Sequence, residues 1–182
     1  MPRVLKVLLE IDDELVRALN GLARDNSAVR AGTALCARWL SFLEIGLMLL
    51  LGATGRRSAA WQMLVAVASV YAACEFGGLV WRRRRPFERL DGISPLSSHA
   101  GGRSFPSRHV ASGLAMAAIG KRAHPGLGAL MEAIAWMLGL SRVMAGLHYP
   151  SDVISAAPLA PGELLRHFTV AVFVVHADSV LL

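Results

Sequence analysis

The sequence is short of cysteine, of aromatic residues and of charge. Only two cysteines, Cys36 and Cys74, stand among 182 residues, both in apolar runs, which excludes a disulfide framework as the organising principle. Aromatic residues make up 7%, few for a β-rich fold. Charged residues reach 18% against 54% hydrophobic, with a mean hydropathy of +0.48. That balance is too apolar for an ordinary soluble domain of this size and far too apolar for a disordered chain. Acidic residues are fewer than basic ones, 13 against 19, and the formal net charge is +6. The sign suits nucleic acid, membrane phospholipid or a phosphorylated substrate. Apolar runs beside arginine clusters favour the last two, so nucleic acid is not expected as a partner. No cysteine or carboxylate cluster has metal-ligand spacing, and there is no internal repeat or low-complexity tract.

What is present reads as helices in a membrane. Over residues 8–24, Leu8, Ile11, Leu15, Val16, Leu19 and Leu22 recur at helical spacing opposite a charged face. The segment is too polar to span a bilayer and too acidic for a signal peptide, and is expected to lie at the interface. Spans are expected from about Ala34 to Ala53, from Ser58 to Trp81 and from Gly126 to about Leu147. A short small-residue helix runs from Ser107 to Gly120, and a last apolar stretch, interrupted by Pro158 and Pro161, runs from Val153 to the end. Residues 82–107 form a long polar loop rich in arginine, serine and proline. The expected fold is an all-α integral membrane bundle of about five transmembrane helices plus the interfacial helix, a single domain over 1–182. Spanning segments must be helical because lipid offers backbone groups no partner.

Three short patterns fall at helix ends, separated by whole helices: Arg82-Arg83-Arg84-Arg85-Pro86, Phe105-Pro106-Ser107-Arg108-His109, and Ser141-Arg142-x5-His148-Tyr149-Pro150-Ser151-Asp152. Counting spans along the chain brings all three to one membrane face. Arginine forks match phosphate oxygens, and a helix N-terminus beginning at Ser107 offers N–H groups to an anion. Two histidines can divide a displacement reaction, one attacking phosphorus and the other protonating the leaving oxygen. Asp152, four residues after His148, is placed to fix the imidazole tautomer.

These patterns resemble the signature of the type 2 phosphatidic acid phosphatase (PAP2) superfamily, written K-x6-R-P, P-S-G-H and S-R-x5-H-x3-D, over roughly residues 75–155. The third pattern matches at every fixed position. The resemblance implies a metal-independent integral membrane phosphatase without a cofactor. His148 would be the nucleophile that forms a phosphohistidine, Asp152 its orienting partner and His109 the general acid. Arg85, Ser107 and Arg142 would bind the phosphate. The chain departs from the signature twice: Gly78 stands where the lysine belongs, and Arg108 replaces the glycine of the second pattern. Arg82, one helical turn after Gly78, or Arg108 from the other wall, is expected to supply the missing positive charge.

Each residue also has a blander reading. The arginine run alone reads as a topological anchor, and Arg83 and Arg84 are expected to meet lipid headgroups. Glu44 and Glu75 are expected as hydrogen bonders inside the bundle, with Arg38 as a candidate partner; His99, His124, His167 and His176 are expected to be structural. The expected function is removal of a phosphate from a lipid phosphate or a polyprenyl (di)phosphate. The rivals are lipid phosphotransfer by the same site and a non-enzymatic lipid-binding or assembly protein. The expected partners are a lipid phosphate substrate and membrane lipids. The expected location is the cell membrane, multi-pass, with the side of the active site left open: counting lysines and arginines places it in the cytoplasm, whereas many bacterial members of the superfamily face outward.

Overall fold

The computed structural model describes residues 3–97 and 101–157, and within these the regular structure is helical. Helix α1 (Arg3–Asp25) ends at Asn26, whose side chain caps α2 (Ser27–Ala53) by accepting from Ala28 N and Val29 N at 3.0 and 3.1 Å. A tight turn through Gly55, at φ +93°, reverses the chain into α3 (Arg57–Val80). The polar segment that follows contains one helical turn, α4 (Pro86–Arg89). Then come α5 (Arg108–Ala123), α6 (Pro125–Met144) and the short α7 (Pro150–Ile154). His124, expected to be structural, caps α6 by accepting from Leu127 N at 3.2 Å.

The outer helices α2, α3 and α6 are long and apolar enough to cross a membrane. They turn Trp39, Phe42, Leu49, Trp61, Phe76 and Leu140 outward, as a chain surrounded by lipid tails can do without penalty. Helix α5 is different. Its residues are small, most of its length is buried, and it packs against both α3 and α6. Where α5 and α6 cross, Gly128 lies so close to the backbone of Gly120 and Lys121 that a side chain there would collide with it. At 16 residues, α5 is about 24 Å long, short of the hydrocarbon thickness. Among the described residues three helices are of span length, fewer than the expected count of about five. The shortfall comes from α5 being a short core helix and from the last expected span lying outside the described residues beyond Ala157. His99, His167 and His176 lie outside them as well.

Helix α1 buries Asp12, Val16, Asn20 and Ala23 against the rest of the molecule and leaves Leu8, Ile11, Leu15 and Leu22 exposed. An exposed apolar stripe beside bundle helices suits an interfacial helix. The buried stripe is polar at its centre. Asn20 Nδ2 donates to Met144 O at 2.9 Å and to Ser94 O at 3.2 Å, and Arg17 Nη1 donates to Asp91 O at 2.7 Å. These bonds tie α1 to the loops at the end of the bundle where the three sequence patterns lie.

Candidate active site

The three patterns come together because each ends or begins a helix of the same bundle. Ser107, the N-cap of α5, donates its backbone N–H to Asp152 O at 3.1 Å, joining the second pattern to the third. Arg85 Nη1 donates to Leu147 O at 2.8 Å and lies 3.2 Å from His148 Nε2, joining the first to the third. A guanidinium only donates, so Nε2 is the acceptor and the ring proton belongs on Nδ1. That atom lies 3.7 Å from Asp152 Oδ2, an ion-pair distance beyond hydrogen-bond reach, and makes no hydrogen bond in the protein.

His148 is 2% exposed and Asp152 fully buried. Burial pushes the His148 imidazole below its usual range, against the opposing pull of the Asp152 carboxylate. Burial works against the Asp152 carboxylate too, but His148 and the Arg83 guanidinium outweigh it and hold that carboxyl below its usual range.

Arg83 lies elsewhere than the sequence implies. It does not meet lipid headgroups. Its side chain is 9% exposed and bridges two carboxylates: Nη1 to Asp152 Oδ1 at 2.9 Å and Nη2 to Asp12 Oδ2 at 2.8 Å. It also donates to Ser151 Oγ at 2.7 Å, and its guanidinium lies 3.6 Å from the centroid of the Tyr149 ring. Asp12 in turn accepts from Ser151 N at 3.0 Å. Asp12 was missed entirely; the signal was Asp12 and Asn20 at eight-residue spacing on one side of α1, legible only once that side is seen to face the loop. Glu75, expected inside the bundle, is half exposed and pairs with Arg103 and Arg108. Glu44 is buried against Gly113, and Arg38 lies over the Trp39 ring rather than beside either glutamate.

Several polar atoms at this end are buried without a hydrogen-bond partner: Arg85 Nε, Arg142 Nε and Ser107 Oγ, besides His148 Nδ1. No side chain caps α5. Two cavities flank the set. One, of about 640 Å³, is lined by Ala34, Phe42, Ile45 and Tyr71 together with His109 and Arg142. The second, of about 570 Å³, is lined by Arg82, Arg85, Arg103 and Arg108 together with Glu75 and Gly78. Among the described residues, no group of three or more His, Cys, Asp or Glu is placed to hold a metal ion.

The arrangement is that of a helical membrane protein with histidines, a carboxylate and arginines gathered at one end of the bundle. Its family is the PAP2 superfamily: the family profile matches residues 59–161, and the chain belongs to it. The chain is 26% identical over 153 residues to the bacitracin transport permease protein BcrC of Bacillus licheniformis, covering 82% of this chain and 75% of that protein. It is 41% identical over 81 residues to the lipid A 1-phosphatase of Rhizobium johnstonii, a match over 44% of this chain but only 32% of that protein. Among solved structures, Aquifex aeolicus LpxE superposes with a TM-score of 0.68 at 20% identity, over 87% of this chain and 93% of that one. The first transmembrane PAP2 type phosphatidylglycerolphosphate phosphatase from Bacillus subtilis superposes with a TM-score of 0.61 at 23% identity, over 92% and 86%. The fold is the membrane PAP2 fold, and the protein is a multi-pass membrane protein.

Proposed function

We propose that this protein is a phosphatase that removes a phosphate from a lipid phosphate or polyprenyl (di)phosphate through a phosphohistidine at His148. One observation carries the reading. Around His148, the residues of three separate patterns hold buried, positively charged or hydroxyl groups whose Nε and Oγ atoms have no partner within the protein. A buried donor left unmade costs about 1–3 kcal/mol, and phosphate oxygens are the acceptors that several arginines and a helix N-terminus jointly fit.

The chemistry follows from the tautomer. His148 Nε2, with the ring proton on Nδ1 toward Asp152, attacks phosphorus as the bond to the lipid oxygen breaks. His109 gives its proton to that oxygen. Water then attacks the phosphohistidine, His109 takes the water's proton, the N–P bond breaks and phosphate leaves. Arg85, Arg142 and the N–H groups that open α5 hold the equatorial oxygens, where charge builds in the transition state. Because His109 lines the cavity that Phe42 and Ile45 also line, the leaving lipid lies on that side, beside an apolar helix. The lipid A 1-phosphatases and the phosphatidylglycerolphosphate phosphatase among its relatives make lipid phosphate monoesters the first substrates to try.

Detergent-purified protein should release inorganic phosphate, in EDTA, from at least one of phosphatidate, phosphatidylglycerol phosphate and a polyprenyl diphosphate. His148→Ala should abolish the release with the fold intact, and His109→Ala should lower it about 10²–10⁴-fold. Labelled substrate should leave its label on His148; label on a serine would overturn the mechanism. Undiminished release from His148→Ala would do the same.

A further inference from the structure

We propose that Arg103 is the phosphate-binding cation that takes the place of the lysine missing at position 78, and that Glu75 is its positioning residue. The assignment rests on the phosphatase reading above. It differs from the expectation that Arg82 or Arg108 supplies the charge.

The first observation is steric. Gly78 is buried on α3, and a Cβ built there would lie 3.3 Å from both Cδ and Nε of Arg103 and 3.2 Å from Phe105 O. The stem of Arg103 therefore crosses the face of α3 at the point where a side chain on residue 78 would emerge. Lysine at 78 and arginine at 103 would compete for one space, so the glycine is the condition for the arginine's placement.

The second observation is how firmly Arg103 is held. Its backbone forms a bridge with Arg84, and the next residue, Ser104, donates its N–H to Arg83 O at 2.9 Å. The segment before α5 is thus stitched to the first pattern. Glu75, one turn before Gly78 on α3, accepts from Arg103 Nη2 at 2.7 Å and pairs with Arg108 through its other oxygen. One carboxylate between two guanidinium groups leaves the trio positive, so Glu75 fixes the arginines without cancelling them.

The third observation links this cluster to the nucleophile. Arg103 shares a cavity of about 570 Å³ with Arg85, and Arg85 lies 3.2 Å from His148 Nε2. Arg82 lines the same cavity, but α3 ends at Val80. The chain is no longer helical at residue 82, and the same-face spacing that favoured it does not apply.

The test is a swap. Arg103→Ala should lower kcat/KM by about 10²–10³-fold, as loss of one preorganised donor does, with Arg103→Lys retaining part of the activity. Arg84→Ala, on an exposed residue outside the site, should stay within about threefold of the parent. Gly78→Lys alone should impair turnover, and Gly78→Lys combined with Arg103→Ala should recover at least about tenfold over Arg103→Ala. Glu75→Gln should lower kcat while inorganic phosphate inhibits no less strongly, because charge repulsion is removed as positioning is lost. Arg103→Ala within threefold of the parent, where His148→Ala is dead, would overturn the assignment; so would a swap that recovers nothing. If the parent releases no phosphate from any lipid, the phosphatase reading fails instead. Calorimetric titration of inorganic phosphate into the same proteins then decides: a tenfold weaker affinity in Arg103→Ala supports the assignment and an unchanged one overturns it.

Discussion

His148 sits between a guanidinium on Nε2 and a carboxylate near Nδ1, and the two pull its proton affinity in opposite directions while burial lowers it. As the proposed nucleophile, His148 must be neutral to attack. A depressed pKa keeps it so below the usual imidazole value of 6.5, and the acid limb of the kcat/KM profile should therefore fall below that pH. Asp152→Asn removes the one neighbour that raises the pKa, so the limb should move further to acid while kcat drops by about 10² or more, because the imidazolium-like charge developing in the transition state loses its partner. A limb that stays in place would overturn the proposed role of Asp152 as the positioning partner of His148. The grouping of His148, Asp152 and Arg142 at one end of the bundle was legible because twelve consecutive positions carry them. Arg83 was not, since nothing local separates it from Arg82 and Arg84. Only the fold shows that it faces inward to Asp152 while Arg84 faces out.

At the scale of elements, α1 has two roles that one periodicity cannot distinguish. Its amphipathic pattern revealed an exposed apolar stripe, and that reading holds for Leu8, Ile11, Leu15 and Leu22. The pattern could not reveal that the opposite stripe docks Asp12 onto Arg83 and Ser151, because the partners lie 71 and 139 residues away in sequence. Asp12→Ala would leave Arg83 with Asp152 as its one carboxylate. The Arg83 and Ser151 donors that Asp12 satisfies would be left unmade, at a cost of about 1–3 kcal/mol. A freed Arg83 would also bond Asp152 with less constraint, so Asp152 would hold His148 less well. The expected outcome is a lower melting temperature in detergent together with a fall in kcat that exceeds any rise in KM. A melting shift with unchanged kcat would make Asp12 a purely structural anchor for α1.

For the whole molecule, the small-residue character of α5 turns from a curiosity of composition into the condition for the site. Three patterns can meet only if α3, α5 and α6 are packed in a fixed alignment, and α5 and α6 make their closest backbone approach at the end opposite the site, where Gly120 faces Gly128. In lipid no hydrophobic force draws helices together, and close backbone approach supplies the packing instead. The helical class and the apolar periods were readable from sequence, whereas the number of span-length helices was not, since a buried short helix and a spanning one differ in what surrounds them. Gly128→Ala would put a methyl group into the Lys121 backbone, and overpacking of this kind costs about 1–3 kcal/mol. Gly126→Ala, two residues earlier, would meet nothing nearer than His124 at 3.7 Å. The first variant should melt earlier and lose turnover, because α5 carries Ser107 and His109 while α6 carries Arg142, and prying the helices apart at their far end tilts one set against the other. The second should match the parent in both. Equal behaviour of the two would mean that the crossing point does not govern the geometry of the site, and that bonds between the loops, such as Ser107 N–H to Asp152 O and Arg85 to Leu147 O, hold it instead.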